Sequence, residues 1–296
     1  MTTPAAPDPR EQVEHPDTAE QPQIPHPGLT GQMRDEPDHG EESYVGSGRL
    51  EGMRTVVTGA DSGIGRAVAI AFAREGADVL VVHLPEEESD ADRTCQLVGE
   101  AGGRAPHVAV DLTTEEACRE VVATAVHELG GIDVLVNNAA YQQAQPGGIA
   151  DITTEQFDRT LRTNLYAMFW LTKHALPHLK PGAAVVNTAS IQGSSPSPQL
   201  VDYAMTKAAI ISFTQSTAQQ LAGQGIRVNA VAPGPIWTPL IPSTMPDAKV
   251  ESFGTNTPMG RPGQPAEVAP AYVYLASSLA SYVTGAVIPV TGGEPF

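Results

Sequence analysis

Short apolar runs rich in β-branched residues alternate with longer helix-like stretches from Arg54 to the end of the chain. The runs are continuously apolar rather than alternately apolar and polar, which is typical of strands buried on both faces of a parallel sheet. The pattern predicts seven strands, at residues 55–58, 79–82, 107–110, 134–136, 184–187, 227–231 and 287–290.

Helices are predicted between these strands, at residues 64–74, 87–101, 113–129, 154–179, 200–221 and 266–277. The third begins with a Thr cap followed by Glu115 and Glu116, which suit a helix N-terminus. Residues 233–265 are rich in proline and predicted to be irregular. Strict alternation of strand and helix implies one doubly wound α/β domain over residues 51–296, with helices on both faces of a seven-stranded parallel sheet.

Residues 1–50 have a different texture, with eight prolines, ten acidic residues, three basic residues and few large apolar side chains. Such a segment buries too little surface to offset its ordering entropy, so we expect an acidic, proline-rich leader that is disordered over residues 1–25. From Pro27 onward, residues such as Leu29, Met33 and Tyr44 favour an extended arm lying on the folded body.

Charge and composition exclude several partners. The formal net charge of −17 comprises −7 on residues 1–50 and −10 on the other 246 residues, so nucleic acid and anionic membranes are disfavoured. The chain has no apolar run of membrane-spanning length, no secretory signal, and two cysteines, Cys95 and Cys118, which we expect to be unreactive. A soluble, reduced, cytoplasmic protein is expected.

The exit of the first strand carries the pattern Gly-x-x-x-Gly-x-Gly and opens directly into a helix. Glycines in such a turn allow close backbone approach to a pyrophosphate, which then lies at the positive N-terminus of the helix. The sequence therefore predicts a dinucleotide site of the Rossmann-fold type here, formed by Gly59, Asp61, Ser62, Gly63, Ile64 and Gly65.

Several motifs together resemble the short-chain dehydrogenase/reductase family over residues 54–293. Besides the glycine pattern, Asn137-Asn138-Ala139-Ala140 resembles the family's second motif, and the segment 233–238 resembles the loop that clasps the nicotinamide. The resemblance implies that the cofactor also contacts Asp111, Leu112, Asn138, Ala139, Ala140, Pro233, Gly234, Ile236 and Thr238. The segments 43–50 and 290–295 resemble a bacterial branch with an N-terminal arm, the general-stress oxidoreductases, which implies a homotetramer.

Candidate catalytic residues follow the same family pattern, which consists of Asn164, Ser190, Tyr203 and Lys207. Tyr203 and Lys207 are four positions apart on a predicted helix and share a face, so the ammonium is expected to lower the pKa of the phenol. Tyr203 would then exchange a proton with the substrate oxygen while Ser190 holds it. The resemblance implies that Lys207 also binds the nicotinamide ribose and that Asn164 supports a proton-relaying water chain.

The choice between NAD and NADP depends on the end of the second strand. An acid there would bind the ribose 2′-hydroxyl, but His83 occupies that position, followed by Leu84 and the run Glu86–Glu88. The acidic run disfavours a 2′-phosphate if Glu86 faces the pocket, and equally fits a solvated helix N-terminus. We lean towards NAD(H), with His83, Leu84 and Glu86 assigned to the cofactor site, while Arg66 keeps NADP(H) open.

The substrate end is predicted to be lined by Tyr141, Gln192, Trp237, Leu240, Ile241 and Met245, beneath a proline-rich lid at residues 237–262. Small aldehydes, ketones or polyols suit such a pocket. No metal is expected, since Pro177 interrupts the turn that joins His174 to His178. Two alternatives stay open, a catalytically silent dinucleotide-binding module and a lyase or epimerase on the same fold.

Overall fold

The computed structural model of the chain describes residues 8–13 and 15–296. Seven parallel strands form one sheet in the order β3-β2-β1-β4-β5-β6-β7. They are β1 Arg54–Thr58, β2 Asp78–His83, β3 His107–Ala109, β4 Val134–Asn137, β5 Ala184–Thr188, β6 Arg227–Pro233 and β7 Val287–Val290. The predicted α/β class with a seven-stranded parallel sheet is confirmed.

Helices cover both faces of this sheet. They are α1 Gly63–Arg74, α2 Glu88–Glu100, α3 Glu115–Leu129, α4 Thr154–Leu161, α5 Ala167–Ala175, α6 Val201–Leu221, α7 Leu240–Thr244, α8 Asp247–Glu251 and α9 Pro265–Ala276. Successive strand residues point to opposite cores: Val57 packs with α1, α2 and α9, whereas Val56 packs with α3, α5 and α6. Burial on both sides explains why the strands are continuously apolar.

The helix predicted over residues 154–179 is interrupted. A π-helical segment, Arg162–Tyr166, separates α4 from α5, and α5 ends at Ala175 before a 3₁₀ turn that contains Pro177. The π turn places the buried side chain of Asn164 against the main chain of Tyr141. The two hydrogen bonds formed there stabilise the wider turn. The segment predicted to be irregular contains the two short helices α7 and α8.

The N-terminal arm lies on the body in two places. Near its end, the buried carboxylate of Glu75 accepts hydrogen bonds from the Tyr44 hydroxyl, at 2.7 Å, and from the Arg49 main chain, at 2.9 Å. Further upstream, Ile24 and Met33 pack against Trp237 of the lid.

Part of the segment for which the sequence predicts disorder makes defined contacts. Thr18 is buried and donates a hydrogen bond to the Glu251 carbonyl, and the Ile24 N–H donates to the Pro242 carbonyl. Residues 1–7 and residue 14 lie outside the described residues. Across the described part of the chain, every helix is too short or too polar to span a bilayer.

Candidate active site

A cleft of about 470 Å³ opens at the carboxyl ends of the strands. Its centre lies where β1 has β2 on one side and β4 on the other, so the chain winds away in opposite directions from this point. Ligands of open α/β sheets bind in such a crevice. The fold therefore brings residues from the exits of β1, β2, β4, β5 and β6 to one cavity.

The glycine turn between β1 and α1 forms one wall of the cleft. Gly59 and Gly63 have positive φ angles of 60° and 50°, which favour glycine. A Cβ atom at Gly65 would lie 1.8 Å from the Gly59 carbonyl oxygen, so the helix begins in contact with the turn. Gly65 lies behind the cleft rather than in its lining, and the bare backbone in front is shaped for a pyrophosphate.

Asn138 braces this turn from the end of β4. Its side-chain amide donates to the carbonyls of Thr58, at 3.0 Å, and Gly59, at 3.1 Å. The Thr58 hydroxyl in turn accepts from the N–H groups of Asn138 and Ala139, both at 2.9 Å. The second motif therefore fixes the shape of the first, while Ala139 and Ala140 line the cleft.

Ser190, Tyr203 and Lys207 converge in the middle of the cleft. Ser190 follows β5, and Tyr203 and Lys207 extend from adjacent turns of α6 with the lysine Nζ 5.3 Å from the tyrosine ring centroid. Lys207 is almost fully buried, and its ammonium donates to the Thr188 carbonyl at 2.7 Å. A hydroxyl, a phenol and an amine thus face one space beside the glycine turn.

Burial determines the proton affinities of this group. It raises the pKa of Tyr203 to about 12, against the opposing effect of the Ser190 hydroxyl, and it lowers the pKa of Lys207 to about 7. The sequence predicts the opposite direction for Tyr203, on the grounds that an ammonium stabilises a phenolate. The expectation of a lowered phenol pKa is corrected here because burial disfavours the charged phenolate.

Asn164 lies behind the cleft rather than in it. Its carbonyl oxygen accepts from the Tyr141 N–H at 2.8 Å, and its amide group donates to the Tyr141 carbonyl, at 2.9 Å, and to the Thr206 hydroxyl, at 3.0 Å. The side chain therefore joins the loop after β4 to α6. Both partners lie close to the cleft, since Tyr141 lines it and Thr206 directly precedes Lys207.

Glu87, rather than Glu86, faces the cleft at the end of β2. A 3₁₀ turn over Pro85–Glu87 leaves Glu86 exposed and directs Glu87 inward, where its carboxylate accepts from the Leu84 N–H at 2.9 Å. Burial and the neighbouring charge of Asp61 raise the pKa of Glu87 to about 8. The assignment of Glu86 to the cofactor site is corrected accordingly, whereas His83 and Leu84 do line the cleft.

Arg66 points away from this corner. Its guanidinium is buried, donates to the Asp61 carbonyl at 2.8 Å, and lies 3.4 Å from a carboxylate oxygen of Asp90. It therefore braces the glycine turn from behind. The remaining cofactor residues predicted from the sequence all line the cleft, namely Asp61, Ser62, Ile64, Asp111, Leu112, Pro233, Gly234, Ile236 and Thr238.

Five of the six residues predicted for the substrate end line the cleft: Tyr141, Gln192, Leu240, Ile241 and Met245. Trp237 does not. It is fully buried between the lid and the arm, and its indole N–H donates to the Asp35 carbonyl at 2.9 Å. A large aromatic residue in a proline-rich lid suggests a pocket wall. Trp237 is instead covered by the N-terminal arm, and nothing in the sequence indicates that the arm passes over it.

The lining residues that the sequence reasoning missed include His26, Pro27, Arg159 and Lys249. His26 comes from the arm and contacts the Tyr141 ring edge-on, with centroids 5.3 Å apart. Arg159 covers the same ring, 5.2 Å from its centroid. Arg159 and Thr163 are four positions apart and both line the cleft, so helical spacing was a usable signal for that pair.

The two cysteines and the pair His174 and His178, at which the sequence predicts no metal, are not among the lining residues of the cleft. Burial raises the pKa of the Cys95 thiol to about 11 and that of the Cys118 thiol to about 12, which keeps both protonated and poorly nucleophilic. The His174 ring lies 3.0 Å from a carboxylate oxygen of Glu115 on α3.

Comparison with known proteins agrees with this geometry. A family model described as enoyl-(acyl carrier protein) reductase matches residues 59–294. General stress protein 39 of Bacillus subtilis is 50% identical over 274 residues, 93% of this chain and 95% of the relative. The NADPH-dependent aldehyde reductase 1 of Arabidopsis thaliana is 44% identical, over 92% of this chain and 96% of its own length. The glucose and ribitol dehydrogenase of Daucus carota is 43% identical, over 92% and 95% respectively.

Solved structures show the same fold. A short-chain dehydrogenase from Burkholderia cenocepacia in complex with NADP superposes with a TM-score of 0.77 at 31% identity, covering 83% of this chain and 98% of that one. A short-chain dehydrogenase/reductase of the glucose/ribitol dehydrogenase type from Brucella melitensis gives a TM-score of 0.72 at 34% identity, over 83% and 97%. The chain therefore belongs to the short-chain dehydrogenase/reductase family of oxidoreductases, which bind nicotinamide dinucleotides.

Proposed function

We propose that the protein transfers a hydride between a nicotinamide dinucleotide and a small carbonyl or alcohol substrate, with Tyr203 as the acid/base group. The observation that carries this proposal is the convergence of Ser190, Tyr203 and Lys207 in one cleft with the glycine turn. The names of relatives that act on an aldehyde or on glucose and ribitol support the substrate class.

The cofactor, when bound, supplies or accepts the hydride at its nicotinamide ring. Gly59 and Gly63 have no side chain that would obstruct the pyrophosphate. Behind them, the contact between the turn and α1 leaves no space for a Cβ atom at Gly65. Ser190 donates a hydrogen bond to the substrate oxygen. In reduction, Tyr203 gives its proton to that oxygen as the carbon receives the hydride; in oxidation it takes the proton back.

Lys207 and Asn164 support this proton transfer in different ways. Lys207 is close enough to Tyr203 to act on it electrostatically, and its ammonium has donors left for a ribose hydroxyl besides its bond to Thr188. Asn164 holds Tyr141 and Thr206 and so keeps the substrate loop in register with α6. A water chain through Asn164 to Lys207 stays a prediction from the family resemblance.

The acidic corner at β2 supports a preference for NAD(H) over NADP(H). Asp61 and Glu87 line it together with His83, whereas the basic residues of the lining, Arg159, Lys207 and Lys249, belong to α4, α6 and the lid. A ribose hydroxyl can bond to this pair, whereas no Arg or Lys of the lining stands at this corner to hold a 2′-phosphate. The named relatives point the other way, since they include an NADP complex and an NADPH-dependent reductase, so the preference requires a direct test.

Absorbance of the reduced nicotinamide tests the proposal. The purified chain is assayed with NADH and NADPH against aldehydes, ketones, polyols and an enoyl thioester, the last because of the family model's description. We expect turnover of carbonyls with a higher kcat/KM for NADH. Tyr203→Phe should lower kcat by about 100-fold or more with dinucleotide affinity retained. Tyr282→Phe, at a fully exposed position, is the matched control.

Two results would favour the alternatives. Dinucleotide binding without turnover of any substrate would indicate a silent binding module. Conversion of substrate with no net change in reduced nicotinamide would indicate a lyase or epimerase that uses the cofactor transiently.

We also propose that the protein is a homotetramer, as the resemblance to the general-stress branch implies. Tyr166, the last residue of the π-helical segment, and Phe169 in α5 are about half exposed, and they offer apolar surface for contact with another copy. Light scattering coupled to size-exclusion chromatography should give four times the chain mass; a monomer would contradict the proposal.

A further inference from the structure

His83, Glu88 and His107 bring three potential metal-ligand atoms together beside the adenosine end of the cleft. They come from the end of β2, the first turn of α2 and the start of β3, so only the folded chain assembles them. The sequence predicts no metal at these residues, because their spacing along the chain follows no motif. Nothing in the proposed hydride transfer uses Glu88 or His107.

The buried ring of His83 is held in a form suited to metal binding. Its Nδ1 lies 2.9 Å from the Leu84 carbonyl oxygen, which can only accept a hydrogen bond, so Nδ1 carries the hydrogen. Nε2 therefore carries a lone pair, which in this structure accepts a hydrogen bond from His107 Nδ1 and would be available to a metal once His107 turns. A histidine ligand whose other ring nitrogen donates to a backbone carbonyl is the usual arrangement in protein metal sites.

The distances between the ligand atoms approach those of a tetrahedral ion, with a different carboxylate oxygen of Glu88 nearest to each histidine. His83 Nε2 lies 3.1 Å from His107 Nδ1, and the Glu88 carboxylate oxygens lie 3.9 Å from the former and 3.7 Å from the latter. A tetrahedral centre with bonds of about 2.0–2.1 Å separates its ligand atoms by about 3.3 Å. The two imidazole rings are nearly parallel, with an interplanar angle of 11°, and their nitrogens face each other as in a hydrogen bond. Metal binding therefore requires the side chains of His107 and Glu88, which are both exposed, to turn towards a common ion.

The ligand chemistry and the local charge favour a divalent transition metal. Two imidazoles and one carboxylate suit Zn²⁺ and Co²⁺ and leave one coordination position for water. The surroundings are acidic, with the exposed Glu86 in the preceding turn and a formal net charge of −17 on the chain. Such a field attracts cations and lowers the cost of bringing a dication to the surface.

We propose that His83, His107 and Glu88 form a binding site for one Zn²⁺-like divalent ion, which ties the end of β2 and the start of β3 to α2. The alternative is an ordinary hydrogen bond between two histidines, with the glutamate as a nearby counter-charge. The two accounts differ in a property that needs no enzyme turnover, namely stoichiometric binding of a metal.

The test uses the full chain without a histidine tag, freed of metal with a chelator and titrated with Zn²⁺ in a calorimeter. A parallel titration with Co²⁺ follows the visible absorption of four-coordinate cobalt. We expect binding of about one ion per chain, tetrahedral cobalt bands, and a higher Tm with Zn²⁺ bound. His107→Gln and Glu88→Gln should each weaken binding by more than about tenfold, the loss that even an outer partner of a metal site can cause.

His178→Gln is the matched control, since it removes an exposed histidine elsewhere on the surface and should bind Zn²⁺ as the unaltered chain does. Circular dichroism and Tm without metal establish that each variant is folded. Failure of the unaltered chain to bind a stoichiometric ion, or equal binding by the His107→Gln and Glu88→Gln variants, would overturn the proposal. Loss of dehydrogenase activity has no bearing on this outcome, so the two proposals fail independently.

Discussion

Tyr203 and Lys207 illustrate how far a residue's chemistry follows from its neighbours in sequence. Their spacing places them on one face of α6, which the sequence predicts correctly. The direction of the Tyr203 pKa shift depends instead on burial by Leu200, Ala144 and the rest of the cleft wall, and those contacts come from distant parts of the chain. Spacing therefore predicts which groups meet, whereas tertiary packing determines their proton affinities.

The high pKa of Tyr203 predicts how activity depends on pH in each direction. Oxidation of an alcohol requires the phenolate, whose fraction rises about tenfold per pH unit below the pKa. Since burial raises that pKa to about 12, kcat/KM for oxidation should increase steadily between about pH 6 and 9. Reduction requires the phenol, which is fully present throughout this range, so its kcat/KM should change little.

Steady-state rates measured in both directions in one set of buffers check this prediction. A plateau for oxidation that begins near neutral pH would show that the Lys207 ammonium, rather than burial, dominates in the working enzyme. That outcome would restore the expectation drawn from the sequence.

At the scale of elements, the turns are more predictable than the long helices. The turn between β1 and α1 follows from its glycines, because only glycine fits the positive φ angles and the contact behind Gly65. The π segment inside the predicted helix 154–179 has no such local sign. It forms because Asn164 bonds to the main chain of Tyr141, 23 positions earlier. A window of helical residues carries no information about that contact.

Replacing Gly65 tests the turn. Gly65→Ala would place a methyl group 1.8 Å from the Gly59 oxygen, so the turn and the helix must separate. We expect dinucleotide affinity to fall by at least about tenfold and the free energy of unfolding to fall by about 1–3 kcal/mol, the usual cost of overpacking. Fluorescence titration with NADH and urea unfolding measure the two effects.

Gly99→Ala provides the control for this replacement. Gly99 lies in α2 with open space around its Cβ position, so alanine there should stabilise the chain by about 0.5–1 kcal/mol and leave dinucleotide binding unchanged. Equal affinities for the Gly65→Ala variant and the unaltered chain would contradict the assigned role of the turn.

For the whole molecule, continuous apolar strands predict the sheet well, but the path of the arm could not be predicted. Its prolines and acids indicate a segment without a core of its own, and this stays a prediction. The arm contacts the lid through Ile24 and Met33. Between these two residues it also contacts α2, where the Thr30 N–H donates to a carboxylate oxygen of Asp90. His26 and Pro27, which lie between Ile24 and Thr30 in the chain, line the cleft. We infer that the arm braces the lid and completes the cleft wall.

Weakening the contact between arm and lid should therefore affect substrate binding more than chemistry. Ile24→Ala with Met33→Ala removes apolar side chains buried against Trp237, each of which contributes about 2–5 kcal/mol when fully packed. If the arm detaches before the body unfolds, Trp237 becomes exposed, its fluorescence shifts to longer wavelength, and KM rises while kcat falls little. Val45→Ala, at a position that is 84% exposed on the same arm, should change none of these quantities. A double variant with unaltered fluorescence and KM would show that the lid holds its position without the arm, because the contact of Ile24 and Met33 with Trp237 would then not be needed to keep the lid in place.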